Sequence, residues 1–314
     1  MLDLGAEVKV VDASRVRPHL FGRKLTDYRS LCNNHGVAPD YSDVDLQFEP
    51  QKLRGIVRNA DVVFHLAAYF GGRGFVEEQQ TECSAMFAVD QNVFRICLDE
   101  GVARIHYASS ACVYPNELQR DKSYLLKEAD AGPMRGWDSA DQIYGWAKLL
   151  GEKQLQVMHM ERGMSCSTCR FLTVYGPREY DDSHAIAALI TRSIRKEDPF
   201  IVWGDGNQER GFTFVSDVVD GIIRATELVK DGTPLNLGVD WRLSIRKVVE
   251  IIHNILGFRP STIRFDKSKP VGPHSRALDI SKTKSLLGWE PKVQMEDGLQ
   301  RTVQWHLANK VPAI

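Results

Sequence analysis

No apolar run in this 314-residue chain is long enough to span a bilayer, and the N-terminus lacks a signal-peptide pattern. A protein of the reducing cytoplasm is expected. Charge of one sign is missing as well: forty Lys and Arg stand against forty-one Asp and Glu, a formal net charge of -1. That balance argues against a nucleic-acid or membrane partner, although a local basic pocket can still hold an anionic ligand. The six cysteines have neither disulfide nor zinc spacing. Their one CxxC, Cys166 and Cys169, lies in a strand-like run, where residues three apart face opposite sides, so no metal is expected there. Internal repeats and low-complexity linkers are absent too, which leaves no clean domain boundary.

What the chain has is alternation. Val8–Val11, Asp61–Tyr69 and Arg104–Ala108 read as buried strands, the first ending in Asp12. Residues 140–161 read as a helix, and Met164–Val174 as a strand closed by Tyr175-Gly176-Pro177. Strands and helices at this spacing predict an α/β fold with a parallel sheet covered on both faces. Beyond residue 176 the pattern is mixed. A helix near 184–196, a strand Phe200–Trp203 and a further strand Phe212–Val215 precede helices at 216–230, 244–256 and 295–309.

Chemistry enters at Tyr144-Gly-Trp-Ala-Lys148, downstream of Ser109-Ser110-Ala111-Cys112-Val113-Tyr114. A Tyr and a Lys four apart share one helix face. A phenol keeps its proton to about pH 10, and a neighbouring ammonium favours the phenolate. With the Ser110 hydroxyl on the same substrate oxygen, this is machinery for taking a proton from an alcohol while a hydride leaves its carbon.

Together these segments resemble the extended short-chain dehydrogenase/reductase family, in particular its nucleotide-sugar epimerases of the GDP-mannose 3,5-epimerase kind. Gly71-Gly-Arg-Gly-Phe75, Ser109-Ser-Ala-Cys-Val-Tyr-Pro115, Trp203-Gly-Asp-Gly-Asn-Gln-Glu-Arg-Gly-Phe-Thr-Phe214 and Leu287-Gly-Trp-Glu-Pro291 carry the resemblance in order along the chain. It implies a Rossmann-type doubly wound sheet with NAD bound over residues 1–175, and a smaller mixed nucleotide-sugar lobe over 176–314. The two are interleaved, with segments near 211–238 returning to the first. A homodimer built on residues 85–100 and 140–161 is also implied. The family's opening strand and GxxGxxG turn, which hold the cofactor pyrophosphate, are expected upstream of Met1-Leu-Asp-Leu-Gly-Ala-Glu, a stretch that looks like the tail of the first helix.

The resemblance also assigns residues. Asp12 is to accept hydrogen bonds from the adenosine ribose and favour NAD over NADP; its alternative is a solvated strand end. Asp45 and Leu46 match the adenine side, Leu66-Ala67-Ala68 the passage beneath the cofactor, and Lys148 the nicotinamide ribose. Gly72 belongs to the substrate loop. Arg178, Arg210 and Arg276 match phosphate-binding positions. Trp203 either borders the nucleotide base or fills the lobe core. Cys112 and His184 stand where related enzymes exchange protons beside a 4-ketone, and thiol and imidazole suit that task at neutral pH. Thr173 and Met86 depart from the family's usual Asn. The reading is an NAD-dependent nucleotide-sugar epimerase acting through a transient 4-keto sugar. A UDP-sugar 4-epimerase, a reductase resembling GDP-L-fucose synthase, and a non-catalytic sugar-nucleotide-binding homologue are its rivals.

Overall fold

Short strands that are mostly buried build the centre of the protein. The computed structural model describes residues 6–13, 40–179 and 184–309; Met1–Gly5 and Ser183, which the motifs above include, lie outside them. Strand β1 (Lys9–Asp12) pairs in parallel with β2 (Asp40–Asp43), and the pair forms its own sheet. Helix α1 (Lys52–Val57) leads to β3 (Val62–His65). Three helices follow, α2 (Arg73–Glu78), α3 (Gln80–Ser84) and α4 (Met86–Asp99). Then come β4 (Arg104–Ser110), α5 (Gln142–Arg162) and β5 (Ser165–Phe171).

Beyond β5, a two-residue strand β6 (Val174–Tyr175) precedes α6 (Ala185–Ile194) and β7 (Phe200–Trp203). Short strands β8 (Glu209–Arg210) and β9 (Thr213–Phe214) lead into α7 (Val215–Leu228) and β10 (Asp231–Leu237). The last elements are β11 (Leu243–Ser244), α8 (Ile245–Leu256), β12 (Ile263–Asp266), β13 (Ser275–Arg276), α9 (Ser281–Leu287) and α10 (Met295–Ala308).

The main sheet is parallel throughout, in the order β10-β5-β4-β3. Helices cover both faces, which is the Rossmann-type doubly wound arrangement. Ile105 and Tyr107 of β4 and Cys166 of β5 pack with α1, α4 and α5, whereas Cys169 and the β10 leucines pack with α7 and α9. The two cysteines of the CxxC thus face opposite layers, and no grouping of metal-ligating side chains occurs among the described residues. A third core of Ile186, Ile190, Phe200, Phe212, Val248, Ile252 and Leu299 gathers α6, α8 and α10 over β7. Small sheets (β11-β8-β13, β12-β7 and β6-β9) complete this mixed part. Among the described residues no helix is long and apolar enough to cross a membrane.

Two elements differ from expectation for stated reasons. The strand expected over 164–174 breaks at Thr173, which takes a positive φ of 23°, and sends Val174–Tyr175 to pair with β9 instead. The run from Asp61 to Tyr69 is strand only as far as His65. Leu66, Ala67 and Ala68 leave the sheet as a loop with Leu66 55% exposed.

Candidate active site

The C-terminal ends of the parallel strands gather the chemistry-bearing residues, as ligand sites do in open α/β sheets. Ser110 ends β4, and its Oγ accepts from the Cys112 amide at 3.2 Å, tightening the chain into a 3-10 turn over Ala111–Val113. Helix α5 begins against this turn: Asp141 N donates to the Cys112 carbonyl at 2.7 Å. The approach is so close that a Cβ on Gly145 would lie 2.2 Å from the same oxygen. Glycine at the second position of Tyr144-Gly-Trp-Ala-Lys148 is therefore a packing requirement. Tyr144 lies within electrostatic reach of the Ser110 hydroxyl, and Lys148 Nζ donates to the Ala108 carbonyl at 2.8 Å. Ser110, Tyr144 and Lys148 thus converge at one strand end.

Burial dominates the electrostatics at Tyr144. Burial, reinforced by Cys112, pushes the Tyr144 phenol above its usual range, and Ser110 opposes that rise. The Ser110 hydroxyl favours the phenolate, and Lys148 is engaged with Ala108 and sits 4.9 Å from the centre of the Tyr107 ring. Burial pulls Lys148 down, against the pull of Asp90 and, less strongly, Cys112 and Glu152. Ser109, the other serine of the pair, turns into the core and donates to Glu152.

A cationic cluster surrounds Cys112. Arg276 donates to the Cys112 sulfur at 3.4 Å, to Asp141 Oδ2 at 3.1 Å, and to Gln119. Arg73, the first residue of α2 after Gly72, also donates to Asp141 Oδ2, at 2.6 Å, and to Glu77. Burial would raise the Asp141 carboxyl, but Arg276 and Arg73 hold it below the ordinary range. Arg210 is the excess charge: its guanidinium donates to the carbonyls of Glu209 and Val271. Burial, with Arg276 and Arg73 adding to it, pushes Arg210 down to about 9. Three guanidinium groups near one Asp141 carboxylate leave an excess of positive charge that suits an anion. Arg73 and Asp141 escaped the reading of the sequence because only the fold brings positions 68 apart together; the single charged residue inside Gly71-Gly-Arg-Gly was the available signal.

The other expected residues are more dispersed. His184 precedes α6, pairs through Nδ1 with Glu179 at 3.3 Å and stacks on Phe70 at 5.8 Å. Phe70 belongs to the loop that continues through Gly72 to Arg73, so His184 adjoins the element that reaches Asp141. Trp203 is 45% exposed at the end of β7, beneath Lys269, which removes the core-filling alternative. Arg178 is exposed at a positive φ of 75°.

On the cofactor side, Asp12 and Asp43 end neighbouring strands in register. Asp43 Oδ1 is buried without a hydrogen-bond partner among the described residues. Adjacent carboxylates suit ribose hydroxyl donors and repel a 2′-phosphate, so these residues fit NAD. Asp45 Oδ1 accepts from the amides of Gln47 and Phe48 and shapes the turn that carries Leu46. The Leu46 carbonyl is fixed by Asn92 at 2.8 Å.

A doubly wound sheet with a Ser-Tyr-Lys cluster at a strand end defines a dinucleotide-dependent enzyme of the short-chain dehydrogenase/reductase type. The chain belongs to the NAD dependent epimerase/dehydratase family, which matches residues 8–238. It is 34% identical over 269 residues to GDP-mannose 3,5-epimerase 1 of Oryza sativa subsp. indica, covering 83% of this chain and 68% of that enzyme. Its fold superposes on UDP-glucose 4-epimerase of Thermotoga maritima with a TM-score of 0.82 at 23% identity, covering 98% and 93% of the two chains. UDP-glucuronic acid 4-epimerase of Bacillus cereus, solved with UDP-glucuronic acid and NAD, gives 0.79 at 25% identity, covering 97% and 100%. The protein is an NAD-dependent nucleotide-sugar epimerase by family.

Proposed function

We propose that the chain epimerises a nucleotide-diphosphate sugar at carbons beside a transient 4-ketone, on a substrate like that of the GDP-mannose 3,5-epimerases. The carrying observation is Cys112, its sulfur held by Arg276 two residues beyond the serine that acts on Tyr144. A redox pair alone needs no second proton-transfer group at that place. In this reading residues 1–175 form the cofactor domain and 176–314 the sugar-nucleotide lobe. Asp12, Asp45, Leu46, Leu66, Ala67, Ala68 and Lys148 hold NAD, which when bound accepts the C4 hydride and returns it. Tyr144, assisted by Ser110, removes the C4 hydroxyl proton and later restores it. The ketone acidifies the adjoining C–H bonds, and Cys112 and His184 take and return those protons from opposite faces. Gly72, Trp203 and the guanidinium groups of Arg178, Arg210 and Arg276 hold the nucleotide and its diphosphate. The chain acts in the cytoplasm as a homodimer through α4 and α5.

A second reading, a UDP-sugar 4-epimerase, is supported by the full-length likeness to the Bacillus cereus enzyme. Turnover of GDP-mannose and UDP-glucuronic acid in D₂O separates the two. The proposal expects solvent deuterium at C3 or C5 of recovered sugar, lost in Cys112→Ala and His184→Ala. Tyr144→Phe should lower turnover about a hundredfold or more, the range typical of acid–base groups. Product inverted at C4 and free of deuterium sinks the proposal in favour of the second reading.

A further inference from the structure

Behind the proposed Tyr144–Lys148 pair lies a buried carboxylate that the catalytic reading does not use. Asp90, on α4, is 2% exposed. Its Oδ2 accepts from the Tyr107 hydroxyl at 2.6 Å and its Oδ1 lies 2.8 Å from His65 Nε2. A carboxylate can only accept, so His65 carries its proton on that nitrogen. The Tyr107 ring is shared: its hydroxyl holds Asp90 while Lys148 Nζ sits 4.9 Å from its centre. Helix α5 makes room for this arrangement at Gly151, three residues past Lys148, where a Cβ would fall 2.5 Å from the Tyr107 hydroxyl.

An ammonium buried this deeply needs a counter-charge. The ionisable groups that act on Lys148 are Asp90 from α4, Cys112 from the 3-10 turn and Glu152 from its own helix, with Tyr107 of β4 and Tyr144 of α5 beside it. Glu152 is already matched by a cation, because the Arg170 guanidinium donates to both its oxygens, whereas the partners of Asp90 are a phenol and an imidazole. Asp90 is left.

We propose that Asp90, fixed by His65 and Tyr107, is a positioning residue for Lys148: the buried counter-charge that keeps the ammonium against the Ala108 carbonyl. Its bearing on catalysis rests on the reading of Lys148 given above, but the pairing can be read without turnover. Burial lowers the affinity of Lys148 for its proton and Asp90 is the foremost group opposing that. Without the carboxylate the folded protein releases the proton at lower pH. The variant's stability then climbs relative to wild type as pH rises, because its unfolded chain still holds the proton its native state has lost.

Urea midpoints of the full chain between pH 7 and 9.5 test this. Asp90→Asn should lower the midpoint at pH 7, and the gap to wild type should shrink by about half or more toward pH 9.5. In a Lys148→Met background the same substitution should cost clearly less at pH 7 and leave a gap that no longer changes with pH, since the carboxylate has then lost its cation. Asp90→Thr, a second neutral side chain, takes the place of the amide if the latter does not fold, and Asp90→Glu should retain the wild-type pH dependence. A gap that is constant with pH and equal in both backgrounds overturns the pairing and leaves the catalytic reading standing. Normal turnover in Tyr144→Phe would do the reverse.

Discussion

At the scale of single residues, the legible part of the site is the part written in one helix. Tyr144 and Lys148 are one turn apart, and that spacing is local information. The same face continues one turn further to Glu152, which the spacing could also have revealed. Glu152 is wholly buried and receives Arg170 Nε at 2.9 Å and Nη2 at 2.7 Å, tying α5 to β5. Arg170 goes on to the Tyr114 hydroxyl and the Glu128 carbonyl. Removing one partner of a buried pair strands the other charge, at a cost of about 3–5 kcal/mol. Glu152→Gln is therefore expected to lower stability by about that amount, seen as a fall in the urea midpoint at neutral pH. A change of only a few tenths would mean that Tyr114 and Glu128 suffice for Arg170. The partners of Asp141 and Asp90 were not legible in this way, since Arg73, Arg276, His65 and Tyr107 lie on other elements.

At the scale of elements, apolar runs gave away the central strands, while composition hid others. β10 opens Asp231-Gly-Thr-Pro234, which reads as a turn, yet it is a parallel strand beside β5. Proline is tolerated there because β10 is the last strand of its sheet and the register shifts just before Pro234. The single strand expected over 164–174 failed for the opposite reason: its apolar pattern continues across Thr173, and only the backbone turn divides it. Helix α5 was foreseen within two residues at each end, and it stops at Gly163, whose φ of 68° suits a left-handed C-terminal glycine. One of the glycines inside the helix yields a prediction with an inverted sign. Gly→Ala inside a helix ordinarily stabilises by about 1 kcal/mol. At Gly145 the new methyl meets the Cys112 carbonyl, so Gly145→Ala should destabilise by about 1–3 kcal/mol, the range of overpacking. It should also lower turnover by moving the Cys112 turn away from Tyr144. A stabilised, fully active variant would show that the helix start can shift without harm.

At the scale of the whole molecule, one surface remains to be accounted for. Helix α5 carries Tyr144 and Lys148 near its N-terminal end and leaves Leu150, Val157 and Met160 exposed along its length, with Met160 at 76%. Scattered apolar residues are ordinary on a protein surface, but these recur at intervals of seven and three on one helix. Beside them a groove of about 450 Å³ runs between α4 and α5, bordered by Phe87, Leu98 and Val157, with Gln91 and Gln154 bonded across it. Helices that meet in this way through an apolar stripe are what a two-fold, self-complementary interface requires, since each copy offers the same pair of elements. This is the physical support for the homodimer proposed above, and it is open to measurement. Wild type should sediment as a dimer at micromolar concentration, and Met160→Asp, which sets a charge at the most exposed apolar position, should shift it toward monomer. Because α5 also carries Tyr144 and Lys148, the dissociated variant should lose turnover in proportion to its monomer fraction and regain it at higher protein concentration. A wild-type chain that sediments as a monomer at every concentration would sink the dimer and leave the stripe on α5 without a partner.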